Sequence, residues 1–340
     1  MKKMLLTTLL LASVCVAHGL HAQYKQPYQP ADIDVWMKGL SDQAALNQII
    51  MPGSHDAGMS QTEYCSFGVV NADAQTQDRN IYQQAVAGSR YFDIRVDYDH
   101  DMLTTYHRTA GEGCGGEYLK DVLNNAVMFL QKRPSETLIL KFSHTRSDSG
   151  HHPADITKRV IELLQNTPIY QQYLYTSDVA QPNLDTIPLA QLRGKIIAVF
   201  DQEYANYFDP QQGIFSYRDF DPSHTDTEQN LSVYDSYANT GDFTKMSTDQ
   251  LNKLNQYGGL GQNHLFLLSW TLTGSVGHLN IHSLAEKANT SLDTSLSQAL
   301  TVDKDPMPNI VYIDFMNPTL AQDIVQYNTK LTSKQLIKTI

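Results

Sequence analysis

Short apolar runs alternate with segments of helical spacing along this chain. Residues 47–51, 91–96, 137–143, 195–201, 264–271 and 309–315 have the length and apolar density of buried strands. Between them Leu119, Val122, Leu123, Ala126, Val127 and Leu130 fall on one helical face, as do Ile156, Val160, Leu163 and Leu164. Pro134 and Gly194 punctuate helix-to-strand transitions. Apolar strands alternating with helices predict an α/β fold, either a barrel or a doubly wound sheet, because both faces of such strands are covered. Residues 203–259 break the pattern: they are rich in Tyr, Asp, Gln and Asn, and only 243–257 has helical spacing. Long, elaborated loops are expected there. With no internal repeat or low-complexity linker, one domain is expected.

The N-terminus changes the compartment. Lys2 and Lys3 precede an apolar run over 4–16, and Ala22 closes it. This reads as a signal peptide over 1–22, leaving a soluble mature chain 23–340 in the periplasm or secreted. The run is too short to remain as a membrane span. Cys15 leaves with the peptide, and Val14 is too bulky for a lipoprotein signal. The remaining pair, Cys65 and Cys114, is expected to be bridged in an oxidising compartment. Acidic residues number 36 against 25 basic, a net charge of −11. That balance argues against a nucleic-acid partner and against strong adsorption to anionic membranes. Neither C-x-x-C nor H-E-x-x-H occurs, so a zinc site lacks sequence support.

Candidate chemistry follows the first strands. Pro52-Gly53-Ser54-His55-Asp56-Ala57-Gly58 is a glycine-framed turn that places an imidazole and a carboxylate at a strand's C-terminal end, where α/β barrels carry catalytic groups. The second strand sends Asp93 and Arg95 to one side of the pleat. His107 follows a third short strand over 103–106. Two imidazoles and a guanidinium suit phosphoryl transfer: one base, one acid, and a fork for the phosphate oxygens. Taken singly, a histidine is more often solvated, an Asp-x-Arg pair is often a rim salt bridge, and a glycine turn is often only a turn. Their succession on consecutive strands favours function. His100, His151 and His152 lie in polar surroundings and read as surface residues.

These motifs resemble the X region of phosphatidylinositol-specific phospholipase C, bacterial metal-independent type. Its marks are a Pro-Gly-(Ser/Thr)-His-Asp turn, an Asp-x-Arg strand and a later histidine; Phe129-Leu130 and Pro134-Ser135-Glu136-Thr137 before Leu138-Ile139-Leu140 are a further match. The likeness is strongest over 49–144. It implies a distorted TIM barrel, His55 as general base, His107 as general acid, Arg95 as phosphate clamp, and Asp56, Asp93 and Asp314 as supporting carboxylates. It also implies that Asp235 and Tyr237, in Val233-Tyr234-Asp235-Ser236-Tyr237, contact the headgroup. The substrate class is phosphatidylinositol or a related phosphodiester met at a membrane surface transiently, by a monomer, without a metal or other cofactor, since Arg95 supplies fixed charge. Ser143 stands where relatives place a headgroup lysine, Asp201 where a relative has arginine, and Arg108 where glycine usually follows the second histidine. Lys141 is expected on the opposite face of its strand. Two rival readings remain: a metal-dependent glycerophosphodiester phosphodiesterase, and a catalytically silent relative that binds a headgroup or glycan.

Overall fold

Alternate inward side chains wrap eight parallel strands into a closed barrel in the computed structural model, which describes residues 32–329 except 110, 148–149, 220–229, 275–279 and 301–305. The expected export segment 1–22 lies outside the described residues. In chain order the strands are β1 Met51–Ser54, β2 Tyr91–Asp99, β3 Met102–Thr109, β4 Glu112–Tyr118, β5 Leu138–Ser147, β6 Ile196–Asp201, β7 Ile214–Asp219, β8 Leu231–Asp235, β9 Leu265–Ser269 and β10 Ile310–Ile313. The barrel runs β1, β2, β5, β6, β7, β8, β9, β10 and closes on β1, with every junction parallel. β1 pairs with β2 only at Gly53↔Tyr91 and Ser54↔Phe92. Farther along, that edge of β2 is taken antiparallel by β3, with Val96 opposite Thr105. β4 then pairs with β3 and sets Cys114 opposite His107.

Both faces of the wall are packed. Tyr91, Ile139, Ile197, Val199, Phe215, Leu231, Val233, Leu265, Leu267 and Ile310 belong to the inner cluster. Phe92, Ile94, Leu140, Phe142, Ala198 and Phe200 face outward against Val122, Leu123 and Ala126 of helix Leu119–Lys132 and Ile156 and Val160 of helix Pro153–Asn166. Two-sided burial explains why the strands read as apolar runs rather than alternating ones.

The structure corrects three expectations. The first strand begins where the predicted run ends, because Leu46–Gln48 forms a 3-10 turn and the strand passes through Pro52-Gly53. Glycine is required there: a Cβ on Gly53 would sit 2.8 Å from Ile310 Cγ2. The segment 203–259, expected to be loops around one helix, contributes barrel strands β7 and β8 as well as the helix Phe243–Tyr257. Those strands mix polar with apolar residues, and buried Ser216 is satisfied by Asn230 at 2.9 Å, so their apolar density is low. Third, β4 went unpredicted because Gly113, Gly115 and Gly116 mask it; Gly116 lets β4 approach Met59, whose Sδ would lie 2.5 Å from an added Cβ.

At the end of the barrel away from the candidate turn, Arg90 Nε and Nη2 donate to Glu136 Oε2 at 3.1 and 2.7 Å, and both side chains are fully buried. Met37 N–H donates to the same oxygen at 3.1 Å. Glu136→Ala leaves a buried guanidinium without its counter-charge and is expected to cost about 3–5 kcal/mol, read as a lowered urea midpoint at unchanged m-value.

Candidate active site

The turn after β1 is fixed from several sides before any side chain is considered. His55 N–H donates to Ile313 O at 3.0 Å, Ala57 N–H to Asp93 O at 2.8 Å, Thr76 Oγ1 to Asp56 O at 2.8 Å and Gln77 Nε2 to His55 O at 2.9 Å. Asp56 adopts φ 38°, in the left-handed region that costs a non-glycine residue about 1–3 kcal/mol. That conformation places its carboxylate inside the cluster with no side-chain exposure.

β10 delivers the partner of the first imidazole: His55 Nδ1 lies 2.7 Å from Asp314 Oδ1, which puts the Nδ1 proton on the carboxylate side and turns Nε2 to the open mouth. Asp56 is central. Its Oδ2 is 3.4 Å from His55 Nε2 and 3.7 Å from His107 Nε2, and its Oδ1 is 2.5 Å from Arg95 Nε. Arg95 Nε is also 3.3 Å from Asp93 Oδ2, and its Nη2 is 3.2 Å from His55 Nε2. Asp93 accepts from Tyr312 Oη at 2.7 Å and from Ser143 Oγ at 3.0 Å. The His55 and His107 side chains each keep 18 % exposure, enough for contact with a bound molecule.

The charges follow from this geometry. Burial opposes protonation of His55, but Asp56 and Asp314 outweigh it and push its pKa up to about 9. His107 is lowered from its usual 6.5, mainly by burial. Burial works against ionised Asp93, yet Lys141 and Arg95 hold it well below the usual carboxylate range. Arg95, half-buried beside Asp56 and Asp93, stays protonated.

His55, Asp56, Asp93, Arg95, His107 and Asp314 thus come together, and Ser143 joins them through Asp93. Asp235 is reached through Lys141 Nζ, 3.2 Å from its Oδ2. Tyr237 is 57 % exposed beyond β8, and no hydrogen bond, ion pair or ring contact among the described residues joins it to the cluster. Cys65 and Cys114 are bridged, closing a loop whose crosslink is worth about 4 kcal/mol on chain-entropy grounds. Because Cys114 lies opposite His107, the bridge also fastens the 59–70 loop beside the second imidazole. Lys141 corrects the opposite-face expectation: it shares the inward phase of Ile139 and Ser143, and Asp93 and Asp235 compensate its charge. Tyr312 was not singled out, although two-residue alternation from Asp314 places it on the same face.

His55, Asp56 and Asp93 offer three ligand atoms within 4.8 Å of one another, the spacing of a cation site. The Arg95 guanidinium, in contact with both carboxylates, already supplies the counter-charge there.

A closed parallel barrel with imidazoles, a guanidinium and carboxylates at the C-terminal ends of its strands defines a protein of the TIM-barrel class. Residues 50–200 match the family model "Phosphatidylinositol-specific phospholipase C, X domain". The chain is 36 % identical over 166 residues to the 1-phosphatidylinositol phosphodiesterase of Listeria monocytogenes, covering 48 % of this chain and 47 % of the relative. It is 28 % identical over 188 residues to that of Staphylococcus aureus strain Newman, covering 53 % and 54 %. The chain spans about half the length of the curated relatives it matches. Among solved structures, the Listeria monocytogenes phosphatidylinositol-specific phospholipase C aligns with a TM-score of 0.63 at 21 % identity over 87 % of this chain and 98 % of that one. A Staphylococcus aureus phosphatidylinositol-specific phospholipase C structure concerned with modulation of membrane binding gives 0.65 at 20 % over 86 % and 97 %. At these identities the structural likeness is one of fold. Residues 50–200 thus match the phosphatidylinositol-specific phospholipase C X domain, and the matched half of the chain is homologous to the bacterial 1-phosphatidylinositol phosphodiesterases.

Proposed function

We propose that this chain is an exported phosphodiesterase, one catalytic barrel over 23–340, that cleaves phosphatidylinositol or a related phosphodiester by acid–base exchange between His55 and His107. The observation that carries this is the meeting of both imidazoles and Arg95 on one carboxylate, Asp56. A hydroxyl of the headgroup next to the phosphate attacks phosphorus while neutral His55 takes its proton at Nε2. The P–O bond to diacylglycerol breaks as protonated His107 gives its proton to the leaving oxygen. The products are diacylglycerol and a cyclic phosphate. Arg95 donates to the non-bridging oxygens as charge develops.

In the free site the proton of the pair rests on His55 and leaves His107 neutral. The reacting arrangement has the same proton count with the proton on His107, and Asp56 faces both Nε2 atoms. Activity therefore tracks the singly protonated pair. A bell-shaped kcat/KM profile is expected, falling on the acid side below 6.5 as a second proton binds and on the alkaline side near 9 as the last is lost. Initial rates across that range check it; activity that holds flat well above the upper limit contradicts the assignment.

Surface contact is proposed through the loop fastened by Cys65–Cys114, which exposes Tyr64, Phe67 and Val70 beside His107. Export rests on the N-terminal pattern and this bridge; among the described residues no helix is long and apolar enough to cross a membrane. The decisive experiment is turnover of phosphatidylinositol vesicles with and without chelator. Equal release of a water-soluble cyclic phosphate in both supports the metal-independent reading. Loss in chelator supports the metal-dependent phosphodiesterase, for which His55, Asp56 and Asp93 are the natural ligands.

A further inference from the structure

The acid–base scheme gives no task to the interior ammonium of Lys141. Lys141 is 4 % exposed on the inward phase of β5, one layer below Ser143. Its Nζ is 3.6 Å from Asp93 Oδ1, 3.2 Å from Asp235 Oδ2 and 4.8 Å from the centroid of the Tyr217 ring. The two carboxylates face different jobs. Asp93 touches Arg95 and belongs to the phosphate side, whereas Asp235 ends β8 with its side chain 15 % exposed toward the mouth. Tyr312 donates to Asp93, Tyr217 donates to Asp219 at the end of β7, and the Tyr91 hydroxyl is buried without a hydrogen-bond partner among the described residues. An ammonium this deep is retained only where opposite charges offset its lost hydration. Burial works against it, yet Tyr91, Asp93 and Asp235 raise its pKa well above the ordinary lysine value.

We propose that Lys141 is a positioning residue for the headgroup: by bridging Asp235 to Asp93 it fixes a hydrogen-bond acceptor at the mouth in register with the phosphate clamp. This rests on the phosphodiesterase reading above. The ligand chemistry it implies is a polyhydroxylated headgroup, whose hydroxyl donors meet Asp235 while the neighbouring phosphate meets Arg95. Lys141 itself lies too deep to be the contact and acts through the carboxylate it holds.

A double-mutant cycle tests this. Rates on phosphatidylinositol in mixed micelles are measured for the wild type, K141M, D235N and the double variant. Each single change is expected to raise KM about tenfold while kcat stays within about threefold, and the double variant is expected to stay near tenfold because the two groups act as a unit. A wild-type KM in K141M, or an additive rise of about a hundredfold in the double variant, overturns the proposal. K141R keeps the charge and is expected to lie closer to wild type than K141M; equal impairment of the two reduces Lys141 to packing and also overturns it. K141Q takes the place of K141M if that variant does not fold. A folded wild-type protein that fails to turn over phosphatidylinositol overturns the functional reading instead. The Lys141 link is then decided by the crystal structure of K141M, in which the Asp235 carboxylate must leave its wild-type position; an unmoved carboxylate ends it.

Discussion

His55→Ala is expected to lower turnover of phosphatidylinositol by roughly 10³–10⁴-fold with KM little changed, the loss typical of removing a group that moves a proton in the transition state. His55 is the imidazole of the pair held more closely by a carboxylate. Its Nδ1 is held by Asp314 at 2.7 Å, and its Nε2 is the atom that faces both Asp56 and Arg95. Among the described residues His107 has no carboxylate partner as close as that, the nearest being Asp56 at 3.7 Å. The loss is chemical rather than structural if circular dichroism and the thermal midpoint stay near wild type. Asp314→Asn separates orientation from proton transfer: it keeps the ring's neighbour but removes the charge that favours the Nδ1 proton, and a loss of about 10–100-fold is expected. Retention of full activity by His55→Ala rejects the acid–base assignment outright.

How much of this was legible in the sequence depended on what each residue packs against. Strands buried on both faces announce themselves, so β2, β5, β6, β9 and β10 stood out as apolar runs. β7 and β8 did not, because Ser216, Arg218 and Ser232 interrupt them and their apolar residues serve mainly the interior. β1 and β4 were obscured by the glycines that close packing demands. The cluster itself was nearly complete on paper because His55, Asp56, Asp93, Arg95 and His107 lie within short, regularly spaced motifs. Their convergence is a property of barrel closure: Asp314 meets His55 across 259 residues of chain only because β10 pairs with β1. The Pro-Ser-Glu match gave the family but hid its local purpose, since Glu136 neutralises Arg90 at the end of the barrel away from the site. Lys141 lies on the face opposite to the expected one, because a strand with apolar residues on both faces does not declare its phase. Ile139, Lys141 and Ser143 form one inward row, which becomes evident once Ile139 is seen in the inner cluster.

Arg95→Lys is expected to reduce kcat by roughly 10²–10³-fold although the charge is kept. The guanidinium does two things at once. Its Nε bridges Asp56 at 2.5 Å and Asp93 at 3.3 Å, and its Nη2 reaches 3.2 Å from His55 Nε2. A lysine ammonium is a single point on a flexible stem and cannot hold both carboxylates and still present a fork to the phosphate oxygens. Arg95→Gly removes the charge as well and leaves the buried Asp56 carboxylate without its closest cation, which costs about 3–5 kcal/mol of stability by the measure of broken buried pairs. Because the space it vacates opens onto the mouth, added guanidinium ion is expected to restore part of the lost rate in Arg95→Gly, in a saturable manner, while ammonium of equal concentration does not. Saturable rescue locates the fork at the developing phosphate charge. Rescue by both cations alike assigns Arg95 a field effect only, and a folded Arg95→Lys with wild-type kcat removes it from the phosphate clamp.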